Sequence, residues 1–327
     1  MKTAILIGLF AGLALAVGLL VNSGVADVGH AIAVGGWTAL LAVTALHLPS
    51  MALCGLAWRQ TSCGTNNNSG LFILSRLVRD GAGSVISILP ISGELAGMRA
   101  LVCYGFTASD AIASVVVDIT MELLSQLAFS IIGVTLLYWQ DPHDPIIKTS
   151  IFGIVVAIPA VFGFMRVQRS GLLSWLEQLS FRLAEAQQWP AVRGVAKIEA
   201  AIRKLYVRRH RIWQAFLLHL VAWMAGAAET WAGLWFLGHP LAVWQVLAIE
   251  SLVYAIRTVV FFVPAAVGVQ EGSYVMLGAI FGLGSQVALA MSLLKRGREL
   301  LLAMPALVMW QILENRLLLR RRIVSGD

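Results

Sequence analysis

The chain reads as long apolar runs separated by short polar stretches. The first runs from Thr3 to Val21, and others follow at about Ala31 to Trp58, Ser109 to Trp139, Thr149 to Met165, Ile212 to Leu237 and Ser285 to Leu319. Their length is near the ~20 residues that span a bilayer core, and they lack the alternation of barrel strands, so they predict helices. Gly24 and Ala26 sit where a signal peptidase would cut, but the first run is long enough to span and is read as an uncleaved helix.

Two further apolar stretches, about 71 to 105 and 241 to 284, carry a helix breaker and a charge in their middle. The first holds Leu89-Pro90-Ile91-Ser92-Gly93-Glu94 and the second Val263-Pro264 followed by Gly268 and Glu271. A second glutamate, Glu122 or Glu299, follows the first by 28 residues in each case. Arms of roughly ten residues, rising about 1.5 Å each, reach only the middle of a ~30 Å core, so each stretch is expected to be a re-entrant hairpin turning at Pro90 and Gly93 or at Pro264 and Gly268. The 241–263 arm is the exception, being long enough to cross.

Loop charges orient these elements, because Lys and Arg accumulate on the cytoplasmic side. An inside N-terminus leaves Asp27 and the Gln140–Pro145 loop outside, and Arg59, Arg76, Arg79, the basic 166–211 block and the C-terminal arginines from Arg316 to Arg322 inside. This holds when both motif stretches are hairpins. They then enter from opposite faces, and the expected fold is an all-α polytopic membrane protein of about six transmembrane helices plus two re-entrant hairpins in inverted repeats. Residues 1–327 form one integral domain, with a first repeat at about 31–139, a basic segment at about 166–211 and a second repeat at about 212–319. Trp58, Trp139, Trp213, Trp235 and Trp244 are expected at the interfaces.

Composition agrees: 59% hydrophobic and 13% charged residues exclude an ordinary soluble domain. Residues 166–211 hold ten Lys/Arg against Glu177, Glu185 and Glu199, which accounts for the whole net charge of +7. Such a block sets topology and meets anionic lipid headgroups, in preference to nucleic acid. Cys54, Cys63 and Cys103 lack metal or redox spacing and are read as free thiols, and the six histidines are scattered. No metal and no cofactor is expected.

The buried charges carry the candidate chemistry, since a carboxylate at membrane depth costs roughly 2.5–3.5 kcal/mol on insertion scales. Asp118 and Glu122 share a helical face, as do Lys295 and Glu299, with Arg296 as a further partner. Glu94 and Arg99, and Glu250, Arg257 and Glu271, put both signs on the hairpins. The expected transport pathway is Glu94, Arg99, Asp118, Glu122, Arg257, Glu271, Arg296 and Glu299. Pairing within the bundle is the competing reading, equally weighted for Lys295 with Glu299. Glu229 is open between a hydrogen bond and a substrate contact, His219 is read as packing or an interhelical hydrogen bond, and Arg59 as a snorkelling anchor.

Trp58-Arg59, Pro90-Ile91-Ser92-Gly93-Glu94 with Arg99, and Pro264 with Gly268 and Glu271 resemble the flippase-like transmembrane region of lysylphosphatidylglycerol synthases and its stand-alone relatives. Within that family the chain looks most like the hopanoid-biosynthesis-associated membrane proteins. The resemblance covers nearly the whole chain. It implies a bacterial inner-membrane protein that moves lipids or lipid-like molecules between leaflets; the loop charges put both its termini on the cytoplasmic side. The soluble aminoacyl-transferring domain is absent from this sequence, so lipid aminoacylation is not expected.

The leading expectation is therefore a flippase or scramblase-like transporter, not an enzyme. A membrane-embedded enzyme using Glu94, Asp118 or Glu122 as acid or base is the runner-up, against which stands the lack of any known catalytic motif. A scaffold for lipid-biosynthesis enzymes is the third reading. Membrane lipids are the expected partners, with a second copy of the chain or lipid-biosynthesis enzymes left open.

Overall fold

The computed structural model describes residues 14–63, 68–85, 91–140, 142–143, 145–170, 195–260 and 263–325. Pro90, the start of the first apolar run, and Arg182 and Arg193 of the basic block lie outside these residues. Among the described residues every regular element is helical. A helical stretch at 14–22 precedes α1 (Val25–Gln60), which bends at Gly36, where φ is 56°. Then come α2 (Ser69–Val85), α3 (Ser92–Cys103), α4 (Ala108–Gln140), α5 (Pro145–Ser170), α6 (Val195–Val207), α7 (Arg209–Phe236), α8 (Val243–Val259), a short 3-10 turn (Pro264–Ala266), α9 (Val269–Ile280) and α10 (Ser285–Ser325).

By length and composition α1, α4 and residues 145–168 of α5 are long and apolar enough to cross a membrane. α5 packs on α4 but buries only 6% of its apolar window, leaving Phe152, Val155 and Phe162 exposed. A helix this apolar and this uncovered fits a lipid solvent. α7 and α10 are as long as predicted, but interrupted by polar residues that the bundle buries.

Both broken stretches take the form of a longer helix, a break and a shorter helix. α2 and α8 are each 17 residues and α3 and α9 each 12. Glu94 is the third residue of α3 and Glu271 the third of α9, while Glu122 and Glu299 are each the fifteenth of the helix that follows, α4 or α10.

The packing repeats in the same way. α4 lies against α7 and α8, and α10 against α1 and α2, so the helix after each break packs onto the other half of the chain. α1 and α7 run along each other, joined where Ser50 Oγ donates to the Ala222 carbonyl at 2.8 Å. A small residue permits the close approach: a Cβ added at Gly233 would lie 2.4 Å from the Met291 sulfur and 3.3 Å from Val43 of α1. Leu234, Ile249, Leu277 and Met291 fill the apolar core beside this contact.

Three expectations are corrected here. Gly93 is not the turn: it is the second residue of α3, and an added Cβ would meet the Arg79 carbonyl at 2.6 Å. Its lack of a side chain brings α2 and α3 together. Trp58 is fully buried against Phe72 with its Nε1 donating to Ser114 Oγ, while Trp139, Trp213 and Trp235 are exposed as an interfacial residue should be. Arg76 and Arg79 are not loop charges but buried residues of α2.

Candidate functional site

α2 carries Arg76 and Arg79 three residues apart, on one helical face turned toward α4. Arg76 donates to both oxygens of Glu122, at 2.7 and 3.2 Å, and to the Asp80 carboxylate at 2.9 Å. Arg79 donates to Asp118 at 2.8 Å, Glu122 at 3.0 Å and Glu94 at 3.4 Å, beneath the Trp58 ring. On the far side of Asp118, His219 Nε2 of α7 lies 2.9 Å from its other oxygen. Two arginines thus gather three carboxylates from α3 and α4, which a low-dielectric interior requires if charge is to persist there.

A second set of charges converges from α1, α7, α8, α9 and α10. Lys295 donates to Glu250 at 2.6 Å, and the same carboxylate accepts from Thr230 at 2.7 Å and from Tyr274. Arg298 reaches Glu229 at 3.3 Å, Glu299 at 3.6 Å and the His47 ring, while His47 Nδ1 is 3.0 Å from Glu229. Arg296 lies 3.2 Å from Glu271 and 3.3 Å from Glu299. Arg257 lies 3.8 Å from the Glu299 carboxylate and 5.8 Å over the Tyr254 ring.

The two sets share one cavity of ≈ 350 Å³. Among the described residues five arginines (Arg76, Arg79, Arg257, Arg296 and Arg298) and four carboxylates (Asp80, Glu94, Glu122 and Glu299) line it, so the wall is charged in both signs. Gly83, Ser84 and Gly93 reach it from the first break, and Ala265 from the second. α2 also packs directly on the 264–266 turn, so the helix leading into the first break meets the second.

Of the residues expected from sequence, Glu94, Glu122, Arg257, Arg296 and Glu299 line this cavity. Asp118 and Glu271 stand behind the wall, each bound to an arginine that does. Arg99 is elsewhere: it makes a half-exposed pair with Glu314 of α10, at 2.6 and 2.8 Å. Lys295 is paired with Glu250, not with Glu299 on its own helix, and Glu229 is an internal partner of His47 and Arg298. Pro264 opens the second turn, and Gly268 holds a φ of 76° as the residue before α9, its N–H donating to Glu271 at 2.7 Å.

Sequence reasoning used Arg76 and Arg79 only as cytoplasmic-side topology charges and gave no role to Arg298 or His47. For the first two a signal existed, their three-residue spacing in apolar sequence. The His47–Arg298 contact spans 251 positions and has no local signature.

Asp118, Glu122 and His219 bring one ligand atom each within 4.8 Å of one another, a spacing a metal ion tolerates. Here Arg76 and Arg79 already fill the space between the carboxylates with their own positive charge. The chemistry of the donor set is that of a neutralised ion cluster, and we assign no metal to it.

No curated protein and no solved structure matches the chain. A protein-family description does: Lysylphosphatidylglycerol synthase TM region, over residues 5–306. With a match that covers both breaks and both charge sets, the chain belongs to the family of the lysylphosphatidylglycerol synthase transmembrane region, and is a membrane protein tied to lipid handling.

Proposed function

We propose that this protein moves a lipid or lipid-like molecule between bilayer leaflets, its polar headgroup passing through the charged cavity while its apolar part stays in the surrounding lipid. The observation that carries the reading is that residues flanking the first break and the turn of the second wall one cavity of ≈ 350 Å³ lined by arginines and carboxylates. A headgroup crossing hydrocarbon alone loses its hydration; a wall of paired, partly exchangeable charges replaces it. The volume suits a headgroup, within the ~300–1,000 Å³ of small-molecule sites.

In this reading the two broken stretches are re-entrant hairpins. At about 1.5 Å per residue, α2 and α8 reach about 25 Å and α3 and α9 about 18 Å, all short of a ~30 Å core. That length favours the 243–259 helix stopping within the membrane. The matched lengths, the matched glutamate positions and the crossed packing of α4 and α10 support two repeated units. Inverted in the bilayer, with both termini cytoplasmic in a bacterial inner membrane, they would place the site at the repeat interface, where transporters of this build bind their substrates. Basic residues on the described part of the 166–211 segment, such as Lys197, Arg203 and Lys204 of α6, would then face anionic headgroups.

We assign no catalytic step. Glu94, Asp118 and Glu122, the acids an enzyme would use, are all bound by Arg79.

The test is reconstitution of the full chain into vesicles bearing fluorescent lipids, phospholipids and hopanoids among them, with an impermeant quencher outside. Faster transbilayer movement than in protein-free vesicles, lost in the Glu94→Ala, Arg257→Ala double variant, is the expected result. Equal rates with and without protein would overturn the reading.

A further inference from the structure

The second break carries a feature that ion pairing does not explain. Ala265 and Ala266 both lie in the left-handed region, at φ 52° and 48°, a conformation that costs a residue with a Cβ about a factor of ten in population. Nothing in the sequence of the turn favours it, since neither position is Gly, Asn or Asp. The turn is held from outside. Arg296 of α10 donates to the Ala265 carbonyl at 2.7 Å and the Ala266 carbonyl at 3.1 Å. The same guanidinium is anchored by Glu271 at 3.2 Å, and Glu271 closes the loop by accepting from the Gly268 N–H. Arg296 and Ala265 both line the cavity.

We infer that Arg296 is a positioning residue that latches the 264–268 turn in a strained state, so that this part of the cavity wall is a two-state element and Arg296 sets its balance. An unstrained turn would stay put when its partner was removed. This one has a backbone preference that opposes its hydrogen bonds, and releasing the two carbonyls lets both alanines return to the ordinary region. Group by group, the latch is one guanidinium, two carbonyls and two carboxylates, Glu271 and Glu299, and it is open to competition because Arg296 is not sealed from the cavity. The role of the latch in transport rests on the transporter reading; its existence does not.

Two variants move it in opposite directions. Arg296→Gln removes the latch and keeps the strain; Ala265→Gly with Ala266→Gly keeps the latch and removes the strain. Hydrogen exchange of the peptide over 263–268 in the full-length protein in nanodiscs is the direct reading, since the Ala266 and Gly268 N–H groups are bonded to Val263 and Glu271. Exchange should quicken about tenfold in Arg296→Gln, be restored only in part by Arg296→Lys, which lacks the fork, and slow about tenfold in the double glycine variant. The double glycine variant, which loses no side chain that touches the cavity's charges, should also slow lipid movement. Unchanged exchange in the glycine variant, or faster exchange there, would overturn the latch. Absence of lipid movement in the unsubstituted protein would overturn the transporter reading and leave the exchange result to judge the latch alone.

Discussion

Arg79 on α2 and Asp118 on α4 lie 2.8 Å apart, both buried, and each has its remaining capacity used by the other's neighbours: Glu94 and Glu122 on one side, His219 on the other. The pair therefore ties three helices, α2, α4 and α7, at one point. Removing the carboxylate takes the His219 imidazole's partner away and costs the guanidinium its shortest contact, leaving it Glu122 and Glu94. Asp118→Ala is expected to cost about 3–5 kcal/mol, against about 1 kcal/mol or less for Glu94→Ala, whose contact is 3.4 Å and whose side chain is 29% exposed. Thermal unfolding in detergent, followed by size-exclusion recovery, compares the two.

Lys295 and Glu250 make the corresponding link in the other half. Glu250 is fully buried and accepts from Lys295, Thr230 and Tyr274, residues of α10, α7 and α9. Lys295→Met alone should cost about 3–5 kcal/mol, because it leaves the carboxylate unpaired, and adding Glu250→Gln should recover part of that loss. A double-mutant cycle on the same unfolding assay reads the coupling, expected at about 1–3 kcal/mol. Simple additivity would show that the pair is not the link described.

Gly83 and Gly93 face each other across the first break with different tolerances. A Cβ at Gly93 would lie 2.6 Å from a backbone oxygen, which cannot step aside, whereas one at Gly83 would meet the Gly93 Cα at an ordinary 3.5 Å. Gly93→Ala should cost about 1–3 kcal/mol by forcing α2 and α3 apart, and Gly83→Ala should be neutral or stabilise by up to about 1 kcal/mol through helix propensity. Melting temperatures of the two single variants decide it.

How much of this was legible in sequence follows from what each feature depends on. The helices were, because apolar length and the absence of alternation are local properties; so were the two breaks, since proline, glycine and glutamate stand out in lipid-compatible sequence. Glu94, Glu122 and Glu299 were found for the same reason, a charge in apolar surroundings being conspicuous, and Asp80 was not. Most of their partners were not, Arg296 beside Glu299 being the exception. Arg76 and Arg79 follow the polar 59–68 stretch and so resembled loop charges, and Arg99, equally conspicuous in sequence, turns away to Glu314. Which of several charges on neighbouring helices pair is fixed by packing between distant segments, as with Lys295, which passes over Glu299 on its own helix to reach Glu250. The strain at Ala265 and Ala266 has no sequence signal, because it is imposed by a contact 30 or so residues away.

The central claim is that a polar headgroup passes through the cavity between the two breaks, and an occluding side chain tests it most directly. Gly226 lines that cavity, and among the described residues a Cβ there would have Ser50 Oγ as its one neighbour within 4 Å, at an ordinary 3.7 Å, so a larger side chain at this position is directed into the space. Transbilayer movement of fluorescent lipid in vesicles containing Gly226→Leu should fall at least about tenfold, with unfolding temperature unchanged to within a few degrees. Movement at the unsubstituted rate through a filled cavity would contradict the account.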